Sequence, residues 1–424
     1  MTDVVVVGAG VAGLAAADAL VADGADVVVV EARDRIGGRV HTIRPAGAVA
    51  PIELGAEFVH GRVPETLGVA DEAGLLLTAI DGQNWRVRAG VRESADESSA
   101  SFERVFGQMD DGRTADRSFE AFLAEARVDP GDAAMARQYV QGFDAADPAR
   151  VGVRWLAQTE AASERDDAEH QYRIVSGYDR VPQWLARRIG PGALRLSSPV
   201  ERIAWRRGAA TAGVRGGATV EGRAAIVTVP LAVLSANDGI VFDPPLGGDK
   251  RAAMAGMATG SVVRLVVRFR EAFWEGMGFD RMGFLFTSDR TVPTWWTSYP
   301  LRTPVLVGWV GGPSATALAT LGADAIADRA LGALATQLGV ERRWLNERAV
   351  EHWYHDWDHD PFARGAYSYG LVNGIDAPRV LRAPVDRTLF FAGEATDADG
   401  RSGTVHAAIA SGRRAAGEVL AALG

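Results

Sequence analysis

The sequence predicts an α/β protein: a Rossmann-type parallel sheet covered by helices, joined to a second α+β unit of mixed sheet and helices. Three observations predict it. A strand, a glycine turn, a helix, a second strand and an acid follow one another at the amino end. At 424 residues the chain exceeds one ordinary domain, so two are expected. Hydrophobic residues at 47% and charged residues at 23% match a chain that buries a large core.

Asp3 to Val7 is a short β-branched run, the composition of a strand buried on both faces. It leads into GAGVAG, which sets Gly8, Gly10 and Gly13 in the G-x-G-x-x-G spacing. An alanine-rich helical stretch runs to about Asp23, and a second apolar run from Asp26 to Val30 ends at Glu31. In a Rossmann-type unit Gly8 permits the tight turn, Gly10 lets the backbone approach a pyrophosphate, and Gly13 lets helix and strand pack closely. The phosphates sit at the positive end of the helix, and Glu31 accepts hydrogen bonds from the ribose hydroxyls. The motif binds a dinucleotide and by itself does not choose between NAD and FAD.

Composition excludes several classes. A net charge of −9 argues against nucleic acid and against an anionic membrane surface. The absence of cysteine removes disulfides, thiolate metal sites, cysteine nucleophiles and any flavin tether through sulfur. No stretch approaches the roughly 18 uncharged apolar residues of a membrane span. The opening MTDVVVVGAG has no basic leader, so a soluble, cytoplasmic protein, monomeric or homodimeric, is the expectation. The His, Asp and Glu residues show no metal spacing, and DDAEHQ reads as a solvated segment. Only one lysine, Lys250, is present, in what reads as a loop after Pro244 and Pro245.

The next string, EARDRIGGRVHT, carries Glu31, Arg33, Gly37, Gly38 and Arg39. It resembles the extension of the dinucleotide motif in the flavin amine oxidases and their glutathione-reductase-like relatives. The resemblance implies FAD, with the paired glycines against the cofactor and Arg39 reaching the pyrophosphate, a task suited to its planar fork. Further strings resemble the same family in its chain order. IELGAEFVHG, with Gly55 and Ala56, is similar to the segment beside the flavin ring, and RIVSGYDRVPQWLA to the stretch returning to the cofactor domain. SPVERIAW places Val200 where the family pairs with adenine, and AAIVTVPLAVL with FDPPL is close to a family signature. In LFFAGEATDADGRSGTVHAAIASGRRAAGEVL the resemblance implies a strand ending at Ala392, a turn with Gly393 and Glu394 near the ribityl or phosphate region, and a helix starting near Thr404. There Val405 would offer its N–H to the flavin pyrimidine carbonyl.

The family topology implies a discontinuous FAD-binding domain of residues 1–65, 190–245 and 375–424, and a substrate domain of 66–189 and 246–374. Residues 95–170 are helical in pattern, whereas Ser261 to Phe269 and Pro304 to Val310 are β-rich. The long coiled-coil insertion of the histone demethylase branch has no room in this length.

The resemblance also implies chemistry: an amine oxidised to an imine, hydrolysed to an aldehyde or ketone, with dioxygen reduced to hydrogen peroxide. Tyr367, in GAYSYG, matches one aromatic wall of the amine site; the second wall falls at Thr404. Ala366 stands where monoamine oxidases carry a tethering cysteine, so the FAD is expected to be non-covalent. Trp357 matches the family in its spacing to Tyr367, while Trp295, Trp296, Trp309 and Trp353 read as core. Arg264, in GSVVRLVVRF, replaces the family lysine that holds a water near flavin N5. It serves dioxygen reduction by charge, or binds a substrate carboxylate, or is a strand arginine paired with an acid. His60 matches a polyamine oxidase histidine near the tunnel, and a structural role weighs equally. Tyr367 likewise keeps the reading of a core tyrosine. Three functions are open at this point: an amine oxidase, a flavin dehydrogenase or desaturase with another acceptor, and a flavin-binding scaffold.

Overall fold

The computed structural model describes residues 2–95, 99–109 and 115–424. Its amino end follows the pattern read above. The strand Thr2–Val7 pairs in parallel with Val27–Val30, Val4 opposite Val27 and Val7 opposite Val30, and on its other side with Thr219–Val227. Val4, Val5 and Val6 are completely buried, as a strand covered on both faces requires. Eight strands complete this sheet, in the order Leu194–Arg195, Val27–Val30, Thr2–Val7, Thr219–Val227, Ala209–Val214, Val200–Arg206 and Val241–Asp243, with Leu389–Phe391 also joined to Thr219–Val227.

The helix Val11–Ala22 is apolar all round because it is covered all round: Leu14, Ala15, Ala16, Ala17 and Leu20 are at most 1% exposed. Its partners are the sheet and the C-terminal helix Val405–Leu423. A side chain at Gly412 would sit 2.2 Å from the Ala12 carbonyl oxygen, so small residues set how closely these helices approach.

A second sheet of seven strands runs Ala349–Tyr354, Val262–Phe269, Val305–Gly311, Thr294–Thr297, Met282–Thr287, Gln83–Arg88 and Val91–Ser94. The β-rich runs of the sequence are its central strands. Two small sheets aim side chains between the large ones. Phe58–His60 pairs with Gln171–Ile174, placing Phe58 opposite Arg173, and Met257–Thr259 pairs with Ser368–Gly370. The helical stretch 95–170 holds the helices Ser99–Phe106, Phe119–Glu125, Pro130–Gly142 and Val153–Arg165; its positions 96–98 and 110–114 lie outside the described residues. Among the described residues no helix is long and apolar enough to cross a membrane.

Lys250 corrects the sequence reading. It lies in the helix Gly248–Ala255, not a loop, and is buried at 2% exposure. Its Nζ donates to the carbonyls of Val380, Leu381 and Ala383 at the end of the helix Ala377–Arg382 and lies over the Phe391 ring. The double proline hid a cap that only the fold supplies. Burial brings its pKa down to about 8.

Gly13 is the tightest point of the nucleotide turn, since an added Cβ would lie 1.9 Å from the Gly8 carbonyl oxygen. Gly13→Ala must move helix from strand and is expected to cost about 1–3 kcal/mol in a urea denaturation, with loss of bound FAD. An unchanged midpoint would mean that the turn is plastic.

Candidate active site

Gly8 has φ +107°, a backbone that side chains resist, while the position a Gly10 Cβ would take has no atom within 4 Å. Gly10 therefore faces open space, as a residue against a pyrophosphate should. The Glu31 carboxylate is fixed by the amides of Ala9, at 2.7 Å, and Arg33, at 2.9 Å, one on each oxygen. Arg33 turns away from the turn to pair with Asp360 at 2.5 Å. Gly37 donates to the Ala9 carbonyl at 2.9 Å, which lays Gly37 and Gly38 beside Gly10.

The carboxy-terminal turn is organised by one buried acid. Glu394 accepts from Arg39 Nη1 at 2.9 Å, Ser368 Oγ at 2.6 Å and the Gly403 amide at 2.9 Å. Gly393 before it has φ +121°. Thr404 caps the helix Val405–Leu423: its Oγ1 accepts from the Ala407 amide at 3.2 Å and donates to the Arg401 carbonyl at 2.7 Å. Among the described residues the amides of Val405 and His406 have no hydrogen-bond partner, and both residues line the cavity, a ready site for a carbonyl or anionic ring edge.

Arg264 is 4% exposed on the strand Val262–Phe269. Its Nε donates to the Glu53 carbonyl at 2.7 Å, its Nη2 pairs with Glu57, and its guanidinium lies over the Trp296 ring. Glu57 also takes Arg173 Nε at 2.5 Å and Trp296 Nε1 at 3.0 Å. Burial alone would raise the Glu57 pKa, but the two arginines hold it down at about 2. Beside it, burial lifts Glu53 to about 7 against hydrogen bonds from Thr42 and the Tyr178 amide. A Gly55 Cβ would lie 1.9 Å from the Arg39 carbonyl oxygen, so Gly55 lets this segment lie against Arg39. Trp357 is buried and anchored by its Nε1 to the Leu54 carbonyl at 2.9 Å.

Tyr367 packs its ring on Gly403 and donates its hydroxyl to the Phe143 carbonyl at 2.6 Å. His60 stands edge-on to Phe143, with Nδ1 buried and, among the described residues, without a hydrogen-bond partner; burial lowers its pKa to about 4. Most of these groups open on one cavity of about 1760 Å³, well above the roughly 300–1,000 Å³ of a typical small-ligand pocket. It is lined by Gly8, Gly10, Glu31, Arg33, Gly38, Arg39, Gly55, Ala56, Val200, Arg264, Trp357, Tyr367, Gly393, Glu394, Thr404, Val405 and His60. Gly13 is the one sequence-predicted site residue off its wall, in keeping with a packing role. The open face of Gly10, the fixed Glu31 and the free helix amides fit a dinucleotide carrying a fused ring.

Residues 11–420 match the family described as flavin containing amine oxidoreductase. The chain belongs to that family. It is an FAD-dependent oxidoreductase with the fold of the flavin amine oxidases. Polyamine oxidase 4 of Oryza sativa subsp. japonica is 30% identical, over 98% of this chain and 88% of its own. A lysine-specific histone demethylase 1 homolog of the same plant is 29% identical over 98% of this chain, but 54% of its own length. The structure of putrescine oxidase bound to putrescine superposes with a TM-score of 0.85 at 25% identity over 99% of both chains. Cyclohexylamine oxidase from Brevibacterium oxydans IH-35A shares the fold, with a TM-score of 0.84 at 23% identity.

Within this family site, two sequence readings are extended. Trp296 is core as read, 4% exposed, and Trp309 packs against the same cluster, but both also line the cavity. DDAEHQ is not merely solvated, since Asp166 to Glu169 reach the cavity rim. Asp167, Glu169 and His170 there bring ligand atoms within 4.8 Å of one another, but His170 Nδ1 already bonds Asp167 at 2.7 Å. Glu57 and Arg173 were not singled out from the sequence. Their signal was an acid and an arginine inside otherwise apolar, strand-like strings.

The Glu57 pairing has a pH signature. Its carboxyl binds protons less readily folded than unfolded, so its contribution is complete above about pH 4.5 and is lost as pH falls toward 2. Glu57→Gln should lose about 3–5 kcal/mol at neutral pH, by leaving two buried arginines short of an anion. On acidification between pH 5 and 3 it should lose less further stability than the parent, by urea denaturation. Parallel pH curves would show that Glu57 is not the titrating group.

Proposed function

We propose that this protein oxidises a small-molecule amine to an imine, which water hydrolyses to an aldehyde or ketone, with dioxygen as acceptor and hydrogen peroxide as product. Bound FAD supplies the two-electron acceptor. The observation that carries the reading is a single cavity lined both by Gly10, Glu31 and Arg39 and by Tyr367, Trp296, Trp309 and His60. The first group would hold the dinucleotide, with Val200 at adenine and Val405 at the ring. The second encloses a largely apolar chamber, where an alkyl chain gains by burial and water is excluded. The names of similar proteins, polyamine and putrescine oxidases, favour an alkyl amine. Tyr367 would hold the reacting carbon against the ring; Thr404, spent on its cap, would shape the opposite side without a polar contact.

The flavin is proposed to be non-covalent, since the chain has no cysteine. The division into an FAD domain of 1–65, 190–245 and 375–424 and a substrate domain of 66–189 and 246–374 is supported by the sheets. Every strand of the eight-stranded sheet falls in the first set and every strand of the seven-stranded sheet in the second.

A second reading, a dehydrogenase using another acceptor, is favoured by the pairing of Arg264. Its Nε and Nη2 are committed to Glu53 and Glu57, and it cannot act as a base.

An anaerobic panel of amines should bleach the bound flavin, and denaturation should release intact FAD. Flavin that no amine reduces would defeat the amine reading, and flavin retained by the precipitated chain would defeat the non-covalent one. Stopped-flow kinetics of the half-reactions decides the acceptor. If Arg264 assists dioxygen, Arg264→Met should slow reoxidation by roughly tenfold or more and leave anaerobic reduction nearly intact, with Arg264→Lys recovering reoxidation. Parent enzyme that turns over a quinone dye fast and dioxygen slowly would establish the dehydrogenase instead.

A further inference from the structure

The first side chain after the helix Pro130–Gly142 is an aromatic ring left open. Phe143 is 39% exposed, more than any other phenylalanine, tyrosine or tryptophan among the described residues, and it lines the cavity. Its ring stacks on Tyr139, with centroids 5.2 Å apart and planes 13° from parallel, and meets His60 edge-on at 5.9 Å. Aromatic rings gain more than most side chains from losing contact with water, so one kept open on a cavity wall is a surface for a ligand to cover.

The backbone is built to hold the ring there. The Gly142 carbonyl accepts from Trp309 Nε1 at 2.6 Å and the Phe143 carbonyl from the Tyr367 hydroxyl at 2.6 Å, so two other cavity side chains clamp the chain around residue 143. Two residues on, Ala145 is buried at φ +51°, a conformation that side chains resist. Glycines let the segment pass. A Cβ at Gly311 would lie 2.1 Å from the Gln141 carbonyl oxygen, and one at Gly260 2.4 Å from that of Ala145.

The ring's surroundings carry little charge. Burial lowers His60 to about 4, which leaves it neutral at physiological pH. Burial, then the Glu160 charge, raises the neighbouring Asp144 carboxyl well above the usual carboxylate range. Glu57 is committed to Arg173 and Arg264. An ammonium group brought against the ring would lose its water and find no free carboxylate among these groups, whereas a hydrocarbon tail would gain by the same loss.

We propose that Phe143 determines substrate class: its ring receives the apolar tail of a monoamine, and the cavity discriminates against a diamine of the same length. The inference rests on the amine-oxidation reading. Tyr367 sets the direction. The Cβ end of its side chain packs on Gly403, beside the cap of the last helix, and its hydroxyl end meets the Phe143 carbonyl. A substrate lying along the Tyr367 ring with its nitrogen at the Gly403 end has its far end at Phe143.

The test is anaerobic flavin reduction over a range of amine concentrations, which separates the dissociation constant from the limiting rate. The probes are n-propylamine to n-octylamine and the α,ω-diamines of the same lengths. In the parent, binding should tighten about fourfold per methylene along the longer monoamines, and each diamine should bind roughly tenfold or more weakly than the monoamine of its length. Phe143→Ala keeps the backbone carbonyl that holds Tyr367. It should weaken octylamine binding roughly tenfold or more, while propylamine binding and the limiting rates change less than about threefold. Phe143→Leu, which retains an apolar wall, should fall between parent and Phe143→Ala. FAD content and denaturation midpoint, measured in parallel, report folding. A parent that binds diamines as tightly as monoamines, with the second ammonium held by the rim acids Asp167 and Glu169, overturns the proposal without any variant. A Phe143→Ala loss that is absent for octylamine, or equal for octylamine and propylamine, overturns it as well. If no amine reduces the parent flavin, the amine reading itself fails, an outcome distinct from these.

Discussion

The Glu394 carboxylate is where three distant stretches of chain are made to meet. Arg39 comes from 355 residues earlier, Ser368 from the small sheet that aims Tyr367, and the Gly403 amide from the approach to the last helix. Four donors on one buried anion, counting the Ser368 amide at 3.3 Å, satisfy it fully, which is what makes burying it tolerable. The geometry follows from this anchor. Arg39 is set beside the nucleotide turn, Tyr367 is set against Gly403, and Thr404 is brought to the position where it caps Val405–Leu423. Were the acid apolar, each segment would have to find its place by packing alone.

The cavity is electrically divided. One wall carries Arg264, which shares the Glu57 carboxylate with Arg173 behind it, a net positive charge fixed in place by Glu57, the Glu53 carbonyl and the Trp296 ring. Near Asp144 and Glu160, burial instead raises carboxyl groups above the usual carboxylate range. Negative charge is stabilised on the side of the arginines.

What could be read from the sequence was what depends on neighbours along the chain. The nucleotide turn was legible because Gly8, Gly10 and Gly13 act within six residues, and the last helix because Thr404 caps it from one position away. The strands carrying Arg264 and Trp309 were legible from their apolar runs. The partners of those side chains were not. Glu57 meets Arg264 across 207 residues and Arg173 across 116, and no local periodicity encodes such pairs. That Trp296 and Trp309 also line the cavity was not legible, because an alternating strand has the same composition whether its second face meets a side chain or a cavity.

Arginine at position 264 is explained by the geometry around it. Its Nε and Nη2 point in different directions in one plane, which lets it bond the Glu53 carbonyl and the Glu57 carboxylate together while its face lies on Trp296. A lysine ammonium is one point of charge and offers no flat face for the ring. It could pair with Glu57 or reach into the cavity, whereas the guanidinium pairs with Glu57 while the residue lines the cavity. The substitution thus exchanges a mobile donor able to hold and orient a water for a rigid cation whose position is set by three neighbours. Its charge reaches the cavity in either case. What changes is proton handling at that wall, because a guanidinium is a hydrogen-bond donor and not a general base. Any proton that the chemistry must move is left to a group elsewhere on the cavity surface.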